Sequence, residues 1–298
     1  MDAHAAPSTP RPFPAPRAGR RPSRLLRQFA RHRLAVVGGV LLLVVFVLAV
    51  LGPVIAPYNP ERVRIADRLR PPEAAHWLGT DQFGRDVLSR VVAGARPTCV
   101  AAVIAIGIAA GTGVILGAVA GYAGGAVDGV VMRAMDIMLA FPGILLALVV
   151  VTILGTGLVN VMIAVGVSLI PVFTRLVRGT MLSIRQREYV LSARAIGCRS
   201  ARILGRHILP NVWAQVAVLS TTALGWAIIA GSTLNFLGFG VHPPTPEWGA
   251  DLNTGREYLN AAWWMSTAPG TAIVLVILAI NFVGDGITEA LDPALRRR

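Results

Sequence analysis

"SARAIGCRSARILGRHILPN", Ser192 to Asn211, holds four arginines and a histidine and closes on Pro-Asn. It lies between two strongly apolar runs, about 157–178 and 211–233. A basic segment in that position either pins membrane topology or forms a docking surface, and its own composition leaves both open. Its local grammar is clearer. Glu188 to Ile196 reads as a short helix, and Gly197 suits the left-handed residue that ends one. Ser200 is a candidate N-cap for a second helix, which places Ile203, Leu204 and Ile208 on one side. Pro210 fits the first turn of the next long helix.

The rest of the chain has membrane composition. Of 298 residues, 54% are hydrophobic and only 14% charged, against about 25% charged in soluble domains. Mean hydropathy is +0.63. A crossing helix needs about 20 apolar residues. Six segments qualify: about 34–56, 98–122, 134–154, 157–178, 211–233 and 268–288. The third and fourth are separated only by the turn Gly155–Thr156–Gly157. The expected fold is therefore all-α and polytopic, with six transmembrane helices.

Net charge is +13, and all 28 basic residues are arginine. Eight lie in the tail up to Arg33, eight between Arg175 and Arg206, and three at Arg296–Arg298. Six spans put these groups on one side, the cytoplasmic side by the positive-inside rule, with both termini inside. Residues 57–97 run against that rule, with seven arginines and five acids in a loop expected outside. Within it, "GRDVLSRVVAGAR" places Val87, Leu88, Val91, Val92 and Ala95 on one helical face, which suits a helix lying at the interface. The basic clusters flank spans and lack interleaved aromatics, so nucleic acid is not expected as a partner. Residues 1–33 form an Arg/Pro-rich tail without a signal-peptide pattern.

Chemistry-bearing patterns are sparse. A chain without lysine cannot make a phosphate-binding GxxxxGK[ST] loop. HExxH and GxSxG are absent. Cys99 and Cys198 have neither metal nor disulfide spacing, and His207 and His242 stand alone. No span has an ionisable residue at its centre, which disfavours an ion-coupled carrier or channel. No catalytic residue, metal or cofactor is expected. Gly113, Gly117 and Gly121 have the small-xxx-small spacing of a close helix contact. Pro142 and Pro171 are candidate kinks or caps. Thr221, Thr222 and Asn281 are polar residues within spans.

The basic segment resembles the cytoplasmic EAA loop of ABC-importer permeases: EAA, three residues, Gly, nine residues, I-x-L-P. Ala193, Gly197, Leu209 and Pro210 fall on that spacing, and His207 replaces the isoleucine. "HWLGTDQFGRDVLSRVVAGAR" (76–96), "GYAGGAVDGVVMRAMDIMLAFPGILLAL" (121–148), "LNFLGFGVHPPTPEWG" (234–249) and "NFVGDGITEALDP" (281–293) are similar, in order, to motifs of the dipeptide, oligopeptide and nickel branch. The match is to the second of that branch's two permease types.

The resemblance implies the type I ABC importer permease fold in a bacterial inner (plasma) membrane. Residues 34–56 would be the first transmembrane helix and 57–97 an external loop. A core of five spans would occupy 98–295, with its coupling loop at 179–210. It implies a second homologous permease subunit, two cytosolic ABC ATPases and an external solute-binding protein. The cargo would be short peptides, nickel or a related small solute. Glu188, Leu191, Ser192, Ala193, Arg194, Ala195, Gly197, Leu209 and Pro210 would form the ATPase-coupling surface. Leu191 and Ser192 replace the usual Glu-Ala, so Glu188, one turn earlier, is expected to supply the acidic contact. Ile287, Thr288 and Glu289 replace the family's Leu-Arg-Asp. Pro243, Pro244 and Trp248 are candidate contacts to the binding protein; the alternative is a rigid loop packed on the span ends.

Overall fold

The computed structural model describes residues 32–291, apart from the side chains of Arg194, Ser200, Ala201, His207, Ala290 and Leu291. Most of the arginine-rich tail and the arginines at 296–298 lie outside the described residues. Five helices are long and apolar enough to cross a membrane, and a bent helix pair makes up to six. Among the described residues, the β pairing is one isolated bridge, Thr80 with Asp86.

Helix α1 (Arg33–Ile55) starts where the His32 ring accepts the Ala35 amide hydrogen at 3.1 Å. The other ring nitrogen lies 3.4 Å from Glu289, one of the residues that departs from the family pattern. Helix α2 (Val87–Ala123) has 37 residues, or about 55 Å at 1.5 Å per residue. That exceeds a hydrocarbon core of about 30 Å. The amphipathic stretch expected to lie at the interface is instead the first turns of α2, continuous with the second span. Asp86 caps it by accepting the Ser89 amide hydrogen at 2.8 Å.

The third span, expected as one helix over 134–154, is two. Helix α3 (Gly125–Leu139) and helix α4 (Gly143–Leu154) meet at 94° across Ala140–Pro142. Pro142 precedes α4, where its missing N–H costs nothing. Two ion pairs tie α3 to helix α5 (Leu158–Arg185). Arg178 donates to both carboxylate oxygens of Asp128 at 2.9 and 2.6 Å, and Arg175 meets Asp136 at 2.5 Å. After the short helices α6 (Glu188–Ala195) and α7 (Ser200–Ile203), helix α8 (Leu209–Phe236) crosses back. Helix α9 (Trp248–Arg256) lies in the next loop, and helix α10 (Trp264–Leu291) is the last span.

The core is built on a parallel seam between α2 and α5. A Cβ on Gly117 would stand 2.6 Å from the Thr174 carbonyl oxygen, and one on Gly121 3.0 Å from Met181 Cβ. Gly113 meets Phe173 in the same register, and across the seam Gly166 fits against Ala105 and Ile108. The parallel register fixes the two ends of the bundle. One end carries residues 56–86 and α9, here termed the cap. The other carries the loop 186–208.

A branched side chain on the seam must push the helices apart, at about 1–3 kcal/mol. Gly117→Val should lower the thermal midpoint of the purified protein, while Gly111→Ala, whose Cβ would meet nothing within 4 Å, should leave it within a degree or two. Equal effects would mean that the seam does not hold the bundle together.

Candidate functional site

The loop at one end is a small packed unit. Val190 and Ala193 turn inward from α6 and join Ile184, Ile203, Ile208 and Val212 in the core. At the end of α6 the Cys198 amide donates to the Ala193 carbonyl at 3.0 Å, across Gly197 at φ +79°. This six-to-one bond over a left-handed residue is a Schellman stop, and it explains the glycine. α7 begins at Ser200, with the Arg199 carbonyl accepting the Ile203 amide hydrogen at 3.2 Å. The N-cap position therefore falls on Arg199 and not on Ser200. A π turn, Leu204–Ile208, then leads into α8. Pro210 has no amide hydrogen and its ring needs room over the preceding turn, which the wider π turn provides.

What this packing leaves outside is specific. Glu188, Leu191, Ser192, Ala195 and Gly197 are exposed, and Ile196 at the tip is 80% exposed. Arg187, Arg199, Arg202 and Arg206 are exposed around them. Pro210 is exposed, Leu209 is half-buried, and Ala193 is inside. Glu188, Leu191, Ser192, Ala195 and Gly197 thus share one protrusion, with an apolar tip, a basic surround and Glu188 on its flank, while the side chain of Arg194 lies outside the described residues.

The cap at the other end is held by buried charge. Arg90 on α2 is 4% exposed. It donates to Asp251 of α9 at 3.0 and 2.5 Å, and to the carbonyls of Pro60 at 3.0 Å and Pro244 at 3.1 Å. Asp81 accepts the amide hydrogens of Phe83 and Arg85 and pairs with the Arg85 side chain at 2.5 Å. Asp86 pairs with His76 at 2.8 Å, and the Thr80 hydroxyl donates to the Asp67 carbonyl at 2.5 Å. Gly84, at φ +71°, lies so close to the Arg64 carbonyl that a side chain has no room. The residues of "GTDQFGRDVLSR" thus form one interlocked scaffold. Sequence reasoning missed it. The available signal was the arginine excess in 57–97, since Arg70, Arg85 and Arg90 are all engaged in ion pairs.

Trp248 is corrected as a candidate partner contact. It is 2% exposed, and its indole N–H donates to the Val91 carbonyl at 2.8 Å. Gly94 gives the ring its space on α2. Pro243 and Pro244 are exposed. Thr221 and Thr222 donate to the carbonyls of Val218 and Leu219 in their own helix. Among the described residues, no group of three His, Cys, Asp or Glu side chains could hold a metal ion.

Residues 113–297 match the family described as binding-protein-dependent transport system inner membrane component. Residues 23–72 match the N-terminal transmembrane domain of oligopeptide transport permease C. A dipeptide transport system permease protein of Alkalihalophilus pseudofirmus is 40% identical over 91% of this chain and 89% of its own length. Glutathione transport system permease proteins of Pectobacterium atrosepticum and Escherichia coli O157:H7 are each 42% identical over 91% of this chain. They are covered over 90% and 89% of their lengths. The chain belongs to the binding-protein-dependent permease family. It is a multi-pass inner-membrane permease subunit of the ABC-importer type.

One acid in the permease cap is poised to titrate. Glu247 is completely buried at the start of α9. It accepts the Ala250 amide hydrogen at 2.8 Å and the Thr98 hydroxyl hydrogen at 2.9 Å. Burial pushes its carboxyl up from the ordinary 4.5 to about 7, opposed by these hydrogen bonds and helped by the nearby charge of Asp251. Between those values the folded state holds a proton that the unfolded chain has released. Stability therefore falls as pH rises through that window, by about 3 kcal/mol. The thermal midpoint of the purified complex should drop from about pH 5 to about pH 7.5. Glu247→Gln should flatten that slope, and parallel slopes for variant and wild type would assign the pH dependence elsewhere.

Proposed function

We propose that this permease forms half of the membrane pathway of an ATP-driven importer for short peptides, delivered by an external binding protein. The other half is a second, homologous permease subunit, and two cytosolic ATPases drive the pair. The loop Glu188–Pro210 lies in the cytoplasm, with both termini. The eight arginines between Arg175 and Arg206 support that orientation. The arginines of 57–97 oppose it less than their number suggests, because the cap engages several of them in ion pairs.

The observation that carries the reading is the loop protrusion. Its apolar tip, Leu191 and Ile196, stands exposed on a rigid base, on the spacing of a permease coupling loop. Ile196 seats in a cleft of the ATPase, and Glu188 supplies the acidic contact that Leu191 and Ser192 cannot. When ATP draws the ATPases together, the loop moves as a body and the bundle opens outward. This is rigid-body switching. The broken third span supports a second subunit at its flank. Val127, Val130, Ile137, Phe141, Leu145, Val149 and Ile153 are exposed along α3, α4 and the bend between them. Backbone freed at a bend within a membrane needs protein or a water-lined cavity beside it. The names of the relatives, dipeptide and glutathione permeases, favour peptide over nickel as cargo.

The deciding experiment is uptake of labelled di- and tripeptides in a strain lacking this chain, with and without the chain restored. ATP-dependent uptake that returns only with the chain is the expected result; normal uptake in the deletion strain would reject the reading. Within the complex, Ile196→Asp should weaken ATPase retention about tenfold or more, since burying such a side chain contributes about 1.5–3 kcal/mol. Glu188→Ala should reduce coupled ATP hydrolysis, and unchanged assembly and transport would remove Glu188 from the contact.

A further inference from the structure

An open groove runs between the end of α1, the first turns of α2 and the loop before α9. Pro53, Ala93, Pro97 and Val100 give it apolar lining. Arg96, beside Pro97 on α2, and Glu61, in the loop after α1, also line it. Both side chains are exposed, and among the described residues neither has an ion-pair partner. This contrasts with Arg85 and Arg90 nearby, which are buried and paired.

The depth of the groove follows from helix length. α1 has 23 residues, about 35 Å, and so spans a hydrocarbon core of about 30 Å with little to spare. Pro53 and Ala56 stand at its end, so the groove opens at the level of the lipid headgroups on the cap side. Below it an apolar track continues toward the membrane centre. Val100, Val103 and Ile104 follow Arg96 by one and two turns on α2 and are 43%, 59% and 43% exposed.

We propose that this groove is a binding site for one phospholipid with a primary-amine headgroup. Its phosphate sits on the Arg96 guanidinium, which can donate two parallel hydrogen bonds to phosphate oxygens. Its ammonium reaches the Glu61 carboxylate. Its acyl chains lie along Val100, Val103 and Ile104. One cation and one anion without partners, placed where a headgroup ends and a tail track begins, match a zwitterionic lipid better than an anionic one. The hydrogen-bond requirement at Glu61 separates a primary ammonium from a quaternary one. The bound lipid wedges α1 against α2 and the loop Thr245–Pro246, and so joins the first span to the cap.

The test uses the assembled importer in nanodiscs of equal parts phosphatidylethanolamine, phosphatidylcholine and phosphatidylglycerol. Native mass spectrometry then counts the lipid that stays on the complex. Phosphatidylethanolamine should be enriched several-fold over its bulk share. Arg96→Gln and Glu61→Gln should each bring it near that share. Both residues are exposed, so the thermal midpoint in detergent should hold and separate lipid loss from misfolding. Retention of all three lipids alike, or unchanged enrichment in Arg96→Gln, overturns the proposal. So does a photocrosslinker at Val100 that captures a protein subunit instead of lipid. None of these readouts depends on what the importer carries.

Discussion

The backbones of α2 and α5 touch because Gly113, Gly117 and Gly121 present no side chain to Phe173, Thr174, Val177 and Met181. In a bilayer, apolar side chains gain nothing by leaving lipid for protein, so helices associate through close packing and hydrogen bonds. A seam of three glycines at one-turn spacing is the way this sequence obtains that packing. The remaining arrangement leans on it. α5 lies parallel to α2 and brings its far end to the loop. α8 packs on both, and the Thr180 hydroxyl of α5 donates to Gln215 of α8 beside the loop. α1 and α10 close the side through Gly38, where a Cβ would meet Phe282.

The two ends of the bundle solve different problems. The cap is held by four buried, paired charges, Asp81, Arg85, Asp86 and Arg90. Breaking one such pair leaves an uncompensated charge and is costly, so the network resists partial opening. Arg90 concentrates that effect, since one guanidinium holds α2, α9 and two loops. The loop end has a hydrophobic base, built from Val190, Ala193, Ile203 and Ile208. Its exposed tip is left over after that packing is complete, which is the condition a docking surface requires.

The spans, their number and the stop at Gly197 were legible because each depends on local signals: apolar length, a glycine after a short helix, a proline at a helix start. The glycine seam was legible for the same reason. The bend at Ala140–Pro142 was not. Hydropathy measures how apolar a run is and carries no direction, so 134–154 reads as one straight span; Asp128, Arg133 and Asp136 before it were the hint that the first half is amphipathic. The cap network was legible as a signature and not as a structure, because Arg90 finds Asp251 across 161 positions. Trp248 misled for a related reason. An aromatic residue in a proline-rich loop reads as exposed, and its burial depends on Val91 and Gly94 of a helix far away in sequence.

Continuity through α5 connects these ends. It begins beside the cap, where the Gly157 amide donates to the Phe239 carbonyl at 2.8 Å, and it ends at Arg185, which reaches the Gly121 carbonyl at 2.7 Å. α6 follows after two residues and packs back on the same core through Val190. A displacement of the protrusion therefore acts on the end of α5, and α5 cannot yield locally without opening the glycine seam. α8 leaves the loop through Pro210 and is tied to α5 at Thr180. The pair must move together, and α3 follows α5 through Asp128 and Asp136. α4 packs on α5 through Ala147 and Val151, but the described ion pairs that tie the broken span to α5 involve only α3.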